Sequence, residues 1–233
     1  PYKVPDSLKS WVMQNLGATV PEKFKSIENA NIAFAINVDG DKVKVVPRAK
    51  LFNYLPTDKA LGVDFLLNAD FIPDGNRKGL HTIEWNYIIL EEAGKSFVRL
   101  IEELVSERRY DMSTVFDILP TNTFEDPFSK SFRKGFNEAI VKAKFIPVDG
   151  EDRAYSINEV FYDADGFTFG NHQMISDEDL YYVLNDSRRL PAKAVRNHPK
   201  LVFLLETYCK NKMNKDWLLY LAEIGRASCR ERV

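Results

Sequence analysis

Apolar and polar positions alternate along residues 31–38, NIAFAINV, and the turn signal Asp39-Gly40-Asp41 follows. Residues 42–47, KVKVVP, continue as a partner strand, so the pattern predicts a hairpin. Residues 50–55 and 63–72 read as two more strands, the second apolar enough to lie centrally in a sheet. The period then changes from two to 3.6. Trp85, Ile88, Ile89, Ala93, Phe97, Leu100, Ile101 and Leu104 recur at helical spacing, with Glu84, Glu91, Glu92, Lys95 and Glu102 between them. That stripe predicts one long helix over about 83–107, packed on the sheet.

Beyond Tyr110 the pattern becomes mostly helical. A short helix over 113–119 is closed by Pro120, and a loop runs to Pro127. Residues 128–142 carry Phe128, Phe132, Phe136, Ala139 and Ile140 on one side. Phe145 to Val148 reads as a strand. Ser156 and Glu159 form a capping-box signal for a helix at 157–162, and Ser176 with Asp179 gives another for 177–185. Further helices are predicted over 198–211 and 214–222. The expected organisation is a linker over 1–30, an α+β segment over 31–112 and a helical α/β region over 113–222.

Residues 223–233, EIGRASCRERV, resemble a translated sequencing-adapter oligonucleotide and are expected not to pack with the rest. The first residue, Pro1, reads as a fragment end. Formal net charge is -2; setting aside the three arginines and one glutamate of 226–233 makes it -4. Neither value supplies a basic surface for nucleic acid. Outside that tail Cys209 is the lone cysteine, which excludes a disulfide framework and fits a reducing cytoplasm. No apolar run reaches the length of a membrane span.

Most catalytic signatures are excluded by position. Gly94-Lys95-Ser96 ends like a phosphate-binding loop, but Ile89 stands where its first glycine belongs and the triplet falls inside a helix. Asp163-Ala164-Asp165-Gly166 lacks the further ligands of a calcium loop and reads as a turn. His81, His172 and His198 have no metal-ligand spacing, and no G-x-S-x-G elbow occurs. Arg108-Arg109 and Arg188-Arg189 read as solvated helix-end charges.

The run from Leu51 to Trp85 carries the most information. Leu55-Pro56-Thr57 ends one strand, Asn68-Ala69-Asp70-Phe71 lies in the next, Asn76-Arg77-Lys78 forms a polar turn, and Trp85-Asn86 opens the helix. In this order and spacing the four motifs resemble the segment following the ATP-binding domain in sacsin-like and heat-shock-chaperone-like ATPases of the GHKL (histidine-kinase-like) class. The resemblance is strong over about residues 45–90 and weaker to about 160.

It implies a middle segment like the second domain of ribosomal protein S5. ATP and magnesium would be bound mainly by an N-terminal domain, this chain's first partner, and this segment alone would not turn over ATP. In the chaperone relatives the arginine of the matching turn reaches the γ-phosphate, which assigns that role to Arg77 and a second phosphate contact to Lys78. A planar guanidinium meets two phosphate oxygens at once, and an arginine so supplied contributes roughly 10³ in rate. Gly75 and Gly79 are expected to let the backbone turn tightly on either side. The purely structural alternative pairs Arg77 with Asp70 or Asp74 to pin the turn.

Three functions follow. The first is a transducer in an ATP-driven chaperone-like or stress or defence protein, acting on client or partner proteins. The second is a non-catalytic interaction module of the same fold. The third, weaker on charge, is a DNA-processing relative.

Overall fold

The computed structural model describes residues 2–16, 28–76, 78–168, 176, 189–217 and 219. The chain divides into two compact units, residues 1–140 and 141–233.

The first unit is a mixed α and β structure. β1 (Tyr2–Lys3) pairs antiparallel with β2 (Asn29–Ala30), and α1 (Asp6–Leu16) lies between them in sequence. β3 (Ile32–Ala35) begins the main sheet. β4 (Asn37–Asp39) and β5 (Lys42–Lys44) form the predicted hairpin, with Gly40 at φ 62° in its turn. The hairpin is a separate ribbon and does not join the main sheet, which corrects the expectation of a strand over 42–47. The strand stops at Lys44 because Pro47 has no N–H to donate and Arg48 adopts φ 56°.

β6 (Lys50–Asn53), β7 (Leu55–Ala60) and β8 (Leu66–Ala69) complete a four-stranded sheet in the order β3-β8-β6-β7. β3–β8 and β6–β7 are antiparallel, and β6–β8 is parallel. The sequence places a strand end at Leu55-Pro56-Thr57; in the structure those residues open β7. The reversal occurs at Tyr54, at φ 61°, whose N–H donates to Asn68 Oδ1 at 2.9 Å.

α2 (Glu84–Glu107) presents Trp85, Ile89, Ala93, Phe97 and Ile101 to the interior, each fully buried. The predicted stripe holds, except that Ile88 and Leu100 lie at its margin, half-buried. The centre of the core is aromatic. Phe65 stacks on Phe97 with ring centroids 3.9 Å apart, and Phe34 meets both edge-on at 5.8 and 5.5 Å.

Asp111 caps α3 (Met112–Asp117) by accepting from Ser113 N at 3.0 Å. α4 (Pro127–Ile140) lies along α2 and brings Phe132 within 6.1 Å of Phe65. The unit therefore runs to Ile140, past the boundary expected at 112, because the aromatic core closes only when α4 is in place.

In the second unit the expected strand at 145–148 reduces to one bridge, Ile146 to Tyr155. The capping box of Ser156 and Glu159 is present, but it opens a single 3₁₀ turn, Ile157–Glu159, where a longer helix was expected. β9 (Tyr162–Asp163) pairs parallel with β10 (Lys212–Met213), and α5 (Pro199–Tyr208) lies between them in sequence. His198 caps α5, its Nδ1 accepting from Lys200 N at 3.3 Å. The helix expected at 177–185 and the tail 223–233 lie outside the described residues.

Candidate functional site

The segment linking β8 to α2 is the site singled out in sequence. Its two ends are tied together by buried polar groups. Trp85 Nε1 donates to the Asp70 carbonyl at 2.8 Å. Asn86 is fully buried; its Oδ1 accepts from Ile72 N, and its Nδ2 donates to the carbonyls of Ile72 and His81, all at 2.8 Å. A short side chain with two donors and two acceptor lone pairs is the one kind able to bridge both chain directions here. Trp85-Asn86 therefore serves as a clamp.

Inside the clamp the chain runs out and back. Pro73 bridges Leu80, Asp74 N donates to Gly79 O at 3.1 Å, and His81 N donates to Ile72 O at 3.1 Å. At the tip Asn76 Oδ1 accepts from Lys78 N at 3.0 Å, an Asx-type turn. The tip is docked on the sheet, because Asp58 N donates to Lys78 O at 2.6 Å. Lys78 is exposed. Arg77, the predicted phosphate sensor, lies outside the described residues, so its position and partners are not part of this geometry.

Asp58 sits under the tip on β7. The hydrogen bond and charge of Lys50, 3.0 Å away, hold its carboxyl below the usual range, and the nearby charge of Lys78 adds to this. Lys78 therefore presents its ammonium close to an exposed carboxylate.

The glycines act differently from expectation. Neither Gly75 nor Gly79 has a positive φ. Gly75 faces open space, so its lack of a side chain answers no steric demand. At Gly79 the demand is spatial: a Cβ there would meet Asp74 Oδ2 at 2.6 Å. Asp74 Oδ1 is buried and has no hydrogen-bond partner among the described residues.

Asp70, named in sequence as a structural partner for Arg77, is 4% exposed, and both its carboxylate oxygens accept hydrogen bonds. Oδ2 accepts from Asn31 N at 2.7 Å and Asn31 Nδ2 at 3.0 Å, and Oδ1 accepts from the Tyr54 hydroxyl at 3.0 Å. Sequence reasoning missed Asn31 and Tyr54. The one signal available was an acidic residue at the end of an otherwise apolar strand, which demands buried donors from elsewhere.

The sheet face turned away from α2 carries a second feature. Ala33 and Ala35 pair with Asn68 and Leu66, and beside Phe52 they line a shallow apolar hollow of about 190 Å³. Tyr54 and Leu55 are exposed, at 67% and 70%.

Among the described residues no group of histidine, cysteine or acidic side chains is arranged to hold a metal ion. Among them, too, no helix is long and apolar enough to cross a membrane. Asp163 confirms the turn reading of 163–166: its oxygens accept from Phe167 N at 3.0 Å and from Thr168 N and Oγ1 at 2.8 Å each. Comparison with family models, with curated proteins and with solved structures found no match.

Proposed function

We propose that the chain is the middle, transducing segment of a GHKL-class ATPase with a fold like the second domain of ribosomal protein S5. In this reading the turn 73–80 reports on ATP held by an N-terminal domain, with magnesium bound there, and α2 carries the signal onward. The carrying observation is the clamp. Asp70, Trp85 and Asn86, all from the motifs that define the resemblance, fix both ends of the turn through buried hydrogen bonds. A phosphate-sensing cation needs such a foundation, since a displacement of about 1 Å removes most of its effect. The exposed ammonium of Lys78 on the same tip fits a phosphate contact.

The test is ATP turnover by the full-length protein. Arg77→Ala is expected to lower kcat at least about tenfold with ATP affinity nearly unchanged, because the contact acts mainly in the transition state. Lys78→Ala is expected to have a smaller effect in the same direction. Unchanged turnover in a folded Arg77→Ala protein rejects the sensor role.

A second reading, a non-catalytic interaction module, is favoured by the apolar hollow of Ala33, Ala35, Phe52 and Leu66 and the exposed Tyr54 and Leu55 beside it. Exposed apolar surface of this kind marks protein contacts. In that case substitution at Tyr54 or Leu55 abolishes function and Arg77→Ala leaves it intact.

A further inference from the structure

The second unit holds a half-open cavity of about 380 Å³, within the size range of small-molecule sites. One wall is apolar: Ala164, Pro191, Val202 and Leu205. The charged groups of the lining divide into engaged and open. Asp163 accepts three hydrogen bonds from Phe167 and Thr168. Arg196 is 5% exposed, and its Nε donates to Pro191 O at 2.9 Å while Nη1 donates to Thr168 Oγ1 at 3.0 Å. Thr168 thus bridges the two charges, and together they brace the turn after β9.

Glu206 is different. It lies on α5 one turn from Val202, so its carboxylate stands at the edge of the apolar wall. Oε1 accepts from the Tyr162 hydroxyl at 3.0 Å, and the other oxygen takes no protein partner among the described residues. The hydroxyl is a permanent donor: burial, then Glu206 and the neighbouring Asp163 and Asp165, push the Tyr162 phenol up to about 12. It holds one carboxylate oxygen and leaves the other available on a residue that lines the cavity.

An oriented carboxylate beside an aliphatic wall, with Arg196 bound to Pro191 O and Thr168 and the Lys212 ammonium held on the Glu206 carbonyl at 2.8 Å, selects for positive charge and against negative charge. We propose that this cavity is a binding site for a small organic cation, a primary ammonium on an aliphatic body, with Glu206 as the ammonium partner and Val202 and Leu205 covering the chain.

The experiment measures binding of three six-carbon probes to the intact protein by calorimetry: hexylammonium, 1-hexanol and hexanoate. Hexylammonium is expected to bind about tenfold or more tightly than the other two, the scale of one charge-assisted hydrogen bond. Glu206→Gln is expected to erase that preference, and because Glu206 is exposed the substitution leaves folding intact. Val202→Phe, which narrows the cavity at its apolar wall, is expected to weaken all three. Hexanoate or hexanol binding as well as hexylammonium, no binding of hexylammonium up to tens of millimolar (on the order of 2 kcal/mol of affinity), or a preference that survives Glu206→Gln overturns the proposal.

Discussion

Gly94 on α2 and Gly135 on α4 mark the point where the two helices touch backbone to backbone. A Cβ on Gly135 would lie 1.8 Å from the Glu91 carbonyl oxygen, and one on Gly94 would lie 2.2 Å from the Phe132 carbonyl oxygen. These are main-chain obstacles that cannot rotate away. The close approach is what brings Phe132 into the cluster of Phe65 and Phe97. Charges reinforce it from outside, where Glu91 pairs with Lys95 on its own helix and with Lys134 across the gap at 2.7 Å.

Gly135→Ala and Gly94→Ala are therefore expected to destabilise the first unit by about 3 kcal/mol each, despite the better helix propensity of alanine. Gly75→Ala, which meets nothing within 4 Å, is expected to stay within about 0.5 kcal/mol of the parent. Urea unfolding midpoints decide this; equal midpoints for Gly135→Ala and the parent would show that the helices separate without cost.

The clamp at Asn86 gives a second prediction. Asn86→Ala strands Ile72 N and takes one of two donors from each of the Ile72 and His81 carbonyls, at a cost of about 1–3 kcal/mol. The local signature matters more than the size. Hydrogen exchange at the Ile72 amide is expected to accelerate toward the rate of an open loop, while amides in the middle of α2 keep their protection. Retained protection at Ile72 would mean that the turn is held by something else.

Asp126 caps α4. It accepts from Ser129 Oγ at 2.6 Å, Phe128 N at 3.1 Å and the Lys59 ammonium at 2.7 Å. Burial raises its carboxyl, but the Lys59 and Ser129 contacts outweigh burial and hold it below its ordinary value. A lowered folded-state pKa contributes stability above the unfolded pKa, and that stability is lost as pH falls through the folded value. Asp126→Ala is expected to cost about 1–2 kcal/mol at neutral pH. Melting temperatures of the variant and parent should converge on acidification, and a gap that stays constant to strongly acid pH would remove the charge from the account.

Tyr162 has the opposite sign. Its folded pKa is pushed up to about 12 from the usual 10.0, so its contribution is complete below pH 10 and disappears as pH rises toward 12. Tyr162→Phe is expected to flatten the decline of melting temperature over that interval relative to the parent. Parallel declines in both proteins would show that the Glu206 contact does not couple to folding.

The long helix was legible because its period is a local property. Trp85, Ile89, Ala93, Phe97 and Ile101 had to share a face whatever they met, and the structure buries all five. The strands at 32–35, 50–53 and 66–69 were legible for the same reason, as were the turn at Gly40 and the capping box at Ser156. The polar turn at 73–80 could be located as a turn from its composition alone.

Tertiary structure decided what these elements meet. No local rule states that β6 and β8 pair in parallel, that the β4–β5 ribbon stands apart, or that Pro56 and Thr57 open a strand instead of ending one. Pairing depends on residues distant in sequence, such as Asn68 receiving the Tyr54 N–H. In sequence Gly94 stands out only through a chance likeness to a phosphate-binding loop; its role exists only because Gly135 lies opposite. Asp70 shows the same division. Its position at a strand end is written in sequence, whereas its donors, Asn31 and Tyr54, are chosen by the folded chain, because a buried carboxylate must find hydrogen bonds wherever the fold brings them.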